Sequence, residues 1–119
     1  YEMSASLVGS EMCIRDRSLS LGAELEKEGV HAAISTGHPE MNLEILSTQL
    51  ILMTDRGLSR KEAIRGVTAY PAEYMGISSR VGTLEPGKDA DLVIWDGDLL
   101  EYDGGVKRLF IDGEEIALS

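Results

Sequence analysis

Apolar and polar positions along this 119-residue chain change their period several times, and each change marks an element. Ser18 to Glu28, "SLSLGAELEKE", reads as a helix, and Gly29 suits its stop. Val30 to Ser35, "VHAAIS", is a short apolar run of the kind that forms a strand buried on both faces. The loop "TGHPEMN" follows, with Pro39 barring regular structure and Asn42 placed as an N-cap. Leu43, Leu46, Leu50 and Met53 then recur at helical spacing, with Ile45 and Ile51 widening the stripe, which predicts a helix over 43–56 closed by Gly57. "SRKE", Ser59 to Glu62, has the form of a capping box: the serine hydroxyl takes the N–H three residues on, and the glutamate reaches back. It opens a helix to about Ala69, and Pro71 can start a further short turn that ends at Gly76.

Beyond Gly76 the period shortens. "RVGTLEPGKDADLVIWDGD" sets turns at Pro86-Gly87 and Asp96-Gly97 around the apolar run Leu92 to Trp95. "VKRLFIDGEEIAL" reads as two short strands joined by Asp112-Gly113, a strong hairpin signal. Helix, glycine and buried strand are the local grammar of an α/β unit, so the fold class is an α/β fragment with a strand-rich end. One boundary falls near Ile77, separating 18–76 from 77–119. A free-standing β-rich module beginning there would have too few strands to close a sandwich.

With 21 acidic and 11 basic residues the chain carries a formal charge of −10, a surface that repels phosphate backbones and argues against nucleic-acid binding. No unbroken apolar run, Leu50 to Met53 included, is nearly long enough to span a membrane, and a cytoplasmic origin is the default expectation.

Residues 1–17 stand apart, because "LVGSEMCIRD" follows neither a strand nor a helix period. Leu7 to Asp16 back-translate in one frame to CTC GTG GGC TCG GAG ATG TGT ATA AGA GAC, and a following codon that begins AG fits Arg17. That string resembles the adapter and transposon end of tagmentation sequencing libraries. The segment is therefore read as non-native, with biology expected to begin near Ser18. Cys13, the single cysteine, lies inside it and says nothing about redox compartment.

The stretch "GLSRKEAIRGVTAYPAEYMGISSRVGTLEPGKDADLVIWDGD" resembles the C-terminal end of the amidohydrolase superfamily of metal-dependent hydrolases. The matching positions are Gly57-Leu58-Ser59, Glu62-Ala63, Thr68, Pro71-Ala72, Gly76, Arg80-Val81-Gly82, Leu84, Pro86-Gly87-Lys88 and Ala90-Asp91. "GHPE" at 37–40 is most similar to the imidazolonepropionase-related branch. The resemblance implies the last strand and terminal helices of a TIM-like barrel (18–76), followed by C-terminal strands of a small β-sandwich (77–119). Val30 to Ser35 would be the last barrel strand and Thr36 to Met41 its catalytic loop, since barrel chemistry sits on the loops after the strands.

In that family the last barrel strand ends in an aspartate that binds metal and takes a proton from the attacking water. Here Gly37 occupies that position and can do neither. Aspartate and glycine codons differ by one base, so Gly37 is either a sequence error or a true loss of the carboxylate. His38, one step along, is the obvious substitute ligand, but a lone loop histidine is read first as a hydrogen-bonding or substrate-facing residue. His31 is read as structural, and Glu40 and Glu44 as helix N-terminal charges. Asp89 and Asp91 are read as making local hydrogen bonds, and Lys88 as a solvated lysine beside a Pro-Gly turn rather than a base.

The family's remaining ligands, a His-x-His pair on the first strand, a lysine or glutamate on the fourth, and histidines on the fifth and sixth, do not precede Ser18. A metal site generally takes at least three protein ligands, and the chain has two histidines in all. The divalent metal, zinc foremost, is thus assigned to a full-length parent acting on a small-molecule substrate, with possible homo-oligomerisation. This chain is expected to bind no metal and to be inactive. A truncated barrel would also leave Leu43, Leu46, Leu50 and Met53 short of burial partners, which predicts poor solubility or loose packing.

Overall fold

The computed structural model describes residues 15–36, with side chains from 19, and 45–119. Four helices come first: α1 (Arg15–Lys27), α2 (Leu46–Asp55), α3 (Arg60–Val67) and α4 (Ala69–Tyr74). Three strands follow: β1 (Leu92–Asp96), β2 (Gly105–Ile111) and β3 (Glu114–Ile116). This is the expected order of an α/β fragment. Gly29 and Gly57 close α1 and α2 with φ of 74° and 104°, the left-handed conformation a Cβ would penalise. Of the predicted helix over 43–56, the part before Ile45, including the Asn42 cap, lies outside the described residues. The N-cap of α2 is Ile45, with no side-chain cap bond.

Thr68 breaks the helix pair at φ −128°, and α4 starts at Ala69, so Pro71 sits inside the first turn rather than opening it. First-turn amides have no intrahelical acceptor, which is why proline is tolerated there.

Two expectations are overturned. Leu50 and Met53 do not lack partners: they are 1% and 6% exposed and form the core with Leu58, Ala63 and Leu100. The cover comes from α1, through Leu19, and from Leu99 and Leu100 in the loop after β1, which reaches back across the strand-rich end. Burial of this kind stabilises by about 1.5–3 kcal/mol per large aliphatic side chain. The segment Val30 to Ser35 is not a strand buried on both faces. It has no regular secondary structure and alternates in exposure, with Ala32 and Ile34 half-buried and His31, Ala33 and Ser35 exposed. It forms no ladder with another strand among the described residues, so only its helix-facing side is covered.

The sheet is antiparallel in the order β1-β2-β3. Leu92 pairs with Phe110 and Val93 with Leu109, and a bulge between Ile94 and Trp95 shifts the register. The Asp112-Gly113 turn joins β2 to β3 as predicted, with Asp112 at φ 53°. Pairing places Val93, Leu109 and Ile116 on one face, of which Val93 and Ile116 are 47% and 39% exposed. On the other face Arg108 lies 4.9 Å from the Phe110 ring centroid and bonds Glu115 at 2.8 and 2.9 Å.

Candidate functional site

Gly37, His38, Glu40 and Glu44 all lie outside the described residues, so the predicted loop is defined by the chain that leads into it. Three contacts hold that lead. Ile34 N–H donates to Gly66 O at 2.8 Å. Gln49 Nε2 donates to Ser35 O at 3.1 Å. Tyr74 hydroxyl donates to His31 O. Gly66 must lack a side chain, because a Cβ there would lie 2.7 Å from Ile34 Cδ1 and 3.0 Å from Ala32 O. The lead ends at Thr36, which is 5% exposed and whose Oγ1 has no hydrogen-bond partner among the described residues. An unpaired buried hydroxyl costs about 1–3 kcal/mol, so its position at the mouth of the loop is informative.

The polar constellation that sequence reasoning missed lies at the other end of the lead. His31 Nδ1 is 3.1 Å from Glu62 Oε2, and Tyr70 hydroxyl donates to Glu62 Oε1 at 2.6 Å. The His31 and Tyr70 rings stack with centroids 4.7 Å apart. A carboxylate only accepts, so Nδ1 carries the proton. The Tyr70 hydrogen bond, helped by that of His31, holds Glu62 below its ordinary carboxylate value; the same carboxylate pushes Tyr70 up.

This corrects half of the capping box. Ser59 Oγ accepts from Glu62 N–H at 3.2 Å as expected. Glu62 does not reach back: Ser59 N–H donates to Glu26 Oε2 at 2.9 Å, freeing Glu62 for its two ring partners. The signal available in the sequence was the i, i+8 placement of Glu62 and Tyr70, but His31 is a long-range partner that no local period reveals. Four residues separate His31 from Thr36, a span of at most roughly 18 Å. His31 and Tyr70 both bond the Glu62 carboxylate, so the cluster ties the lead to α3 and α4.

Asp89 and Asp91 both accept hydrogen bonds, but from partners nine and 21 residues away rather than locally as expected. Asp89 pairs with Arg80 at 2.8 Å, and Asp91 Oδ1 accepts from Asp112 N–H at 2.8 Å. Lys88 is not solvated. Its side chain is 13% exposed, bonded to Thr83 Oγ1 at 2.6 Å and paired with Glu85 at 3.3 Å, because the Pro-Gly turn folds the chain over its stem. That local pairing leaves it no role as a base.

A metal centre needs a set of donors, and the described residues do not supply one. Among them no group of three or more His, Cys, Asp or Glu could hold an ion, so they do not by themselves fit a metal. A cavity of about 20 Å³ lies between the lead and the helices, lined by Val30, Ala32, Ile34, Met53, Leu58 and Glu62. It is far below the several hundred Å³ a small-molecule site takes. A shallow open groove of about 380 Å³ runs beside Lys107, Arg108 and Glu115, away from the lead. Among the described residues no helix is long and apolar enough to cross a membrane.

With this geometry, comparison with known proteins becomes specific. A sequence model of the amidohydrolase family matches residues 3–116. The imidazolonepropionase of Pseudomonas savastanoi pv. phaseolicola is 36% identical over 121 residues, covering 94% of this chain and 30% of its own length. Amidohydrolase tasK of Hapsidospora irregularis is 30% identical over 94 residues, covering 79% of this chain and 10% of its own. The crystal structure of an amidohydrolase from Thermotoga maritima superposes with a TM-score of 0.78 at 35% identity, over 83% of this chain and 26% of that one. The chain thus spans a third or less of the relatives it matches here, and by a match that runs almost from end to end it belongs to the amidohydrolase family.

Proposed function

We propose that this chain is the C-terminal part of a metal-dependent amidohydrolase that hydrolyses a non-peptide C–N bond in a small cyclic amide or similar substrate. In this reading residues 1–17 derive from sequencing adapter, 18–76 are the end of a TIM-like barrel, and 77–119 are strands of a small β-sandwich. The observation that carries it is the superposition on the Thermotoga amidohydrolase at 35% identity. Imidazolonepropionases among the relatives favour a cyclic amide over other C–N substrates. When bound in the full-length parent, a divalent ion, zinc first, would supply the chemistry that activates water for hydrolysis; Gly37 offers it no carboxylate. His38 contacts substrate. The parent works in the cytoplasm on a small molecule, without nucleic acid or membrane partners, and homo-oligomerisation is part of the same proposal. The chain alone, with Gly37 and without the upstream ligands, is inactive.

Gly37 favours a second reading: a non-catalytic relative that lost its metal centre and keeps the fold as a binding scaffold. The test is to sequence the source locus through codon 37 and upstream of codon 18, then express the encoded protein. An aspartate codon at position 37, an upstream His-x-His and zinc-dependent hydrolysis of cyclic amides are the expected results. A glycine codon there with no upstream ligand pair overturns the hydrolase and leaves the scaffold.

A further inference from the structure

We propose that Glu62 is a positioning residue: it selects the register in which residues 30–36 lie against α3, and so sets where Thr36 stands. This rests on the reading that the site follows Thr36. The lead alternates with a period of two, so sliding it by two residues along α3 would still turn an apolar face inward. Apolar packing therefore does not fix its register. Backbone bonding alone does not fix it either, since Gly66 O would accept any N–H that reached it.

The His31–Glu62 pair does. Glu62 and Gly66 stand one helical turn apart on α3, about 6 Å along its axis. The first meets His31 and the second meets Ile34. Only one register satisfies both contacts, because the lead has no histidine other than His31.

Glu62 is also held still. Its side chain is 13% exposed, and its Oε1 is bonded by Tyr70, a residue 5% exposed, whose ring carries that of His31. The imidazole thus meets a carboxylate already oriented by α4. An exposed ion pair between two free side chains would select little. At the far end Gln49 donates to Ser35 O, a backbone contact that, like the Gly66 bond, holds the lead without choosing its register.

The test uses the whole chain and reads position by NMR, independent of any activity. Amide shifts and hydrogen exchange are followed at Ile34 and Thr36, with Leu109 and Phe110 in β2 as distant controls, for wild type, Glu62→Ala, Glu62→Gln and His31→Ala. Glu62→Ala and His31→Ala should each speed exchange at Ile34 by about tenfold and move the Thr36 amide, leaving β2 unchanged. Glu62→Gln, which keeps an acceptor for Tyr70, should recover part of the wild-type position. Unchanged Ile34 and Thr36 overturn the proposal. So does equal acceleration in β2, which would mean only general loss of stability. His31 has a side chain 57% exposed, so His31→Ala still reads the register if Glu62→Ala does not fold. A parent without hydrolase activity would sink the functional reading and leave these outcomes as they stand.

Discussion

Replacing Gly66 with alanine sets helix propensity against packing, and the structure says which prevails. Propensity alone favours the change by about 1 kcal/mol, since glycine is a poor helix former. Against it, the new Cβ would meet Ile34 Cδ1 at 2.7 Å, and Ile34 Cγ1 and Ala32 O at 3.0 Å. Ile34 Cδ1 can rotate away, but Ala32 O is backbone, so α3 must move off the lead. Overpacking costs about 1–3 kcal/mol. The Ile34 N–H to Gly66 O bond at 2.8 Å stretches as the helix retreats. A weakened bond loses up to about 1 kcal/mol. Set against the gain in propensity, the net expectation is destabilisation by up to about 3 kcal/mol, dominated by the backbone contact. Urea unfolding followed by far-UV circular dichroism should show a midpoint lower by about 1 M, given slopes of about 1–3 kcal/mol/M for small proteins. A midpoint that rises, as propensity alone requires, would refute the reasoning.

Leu50→Ala, at a side chain 1% exposed, should cost about 2–5 kcal/mol through the cavity it opens; a loss under about 1 kcal/mol by the same unfolding assay would mean that the core collapses around it. Glu62 is lowered chiefly by the Tyr70 hydrogen bond, so its contribution is present above its unfolded pKa and is lost as pH falls through the lower folded value. Urea midpoints measured below about pH 5 should therefore fall with acid, and Glu62→Gln should flatten that share of the slope. Thr36→Val exchanges a hydroxyl unpartnered among the described residues for a methyl and should leave stability unchanged or raise it by up to about 1 kcal/mol. A fall of more than about 1 kcal/mol on differential scanning would show that Oγ1 has a partner.

Much of this was legible in one dimension because its causes are local. The glycine stops at Gly29 and Gly57, the Ser59 cap, the β1 apolar run and the Asp112-Gly113 hairpin each depend on a few neighbouring residues. Family membership was legible for a related reason: the "EPGKDADLVIWD" turn-and-strand pattern fixes local backbone through its own residues. The loop that carries Gly37 and His38 was identified by resemblance alone, and its geometry lies outside the described residues.

What local pattern could not decide was which groups meet across the chain. Val30 to Ser35 reads as doubly buried because its residues are apolar, but burial needs neighbours on both faces, and here only the helices supply one. Leu50 and Met53 read as orphaned because Leu100 is fifty residues away from the first of them. Glu62 reads as a capping glutamate because Ser59 is three residues back, whereas tertiary packing gave that backbone N–H to Glu26 and turned the carboxylate to His31 and Tyr70. The sequence by itself determined the helices, the C-terminal strands and the family. Only the tertiary structure decided which faces are covered and which carboxylate holds which ring, because long-range partners leave no trace in a local period.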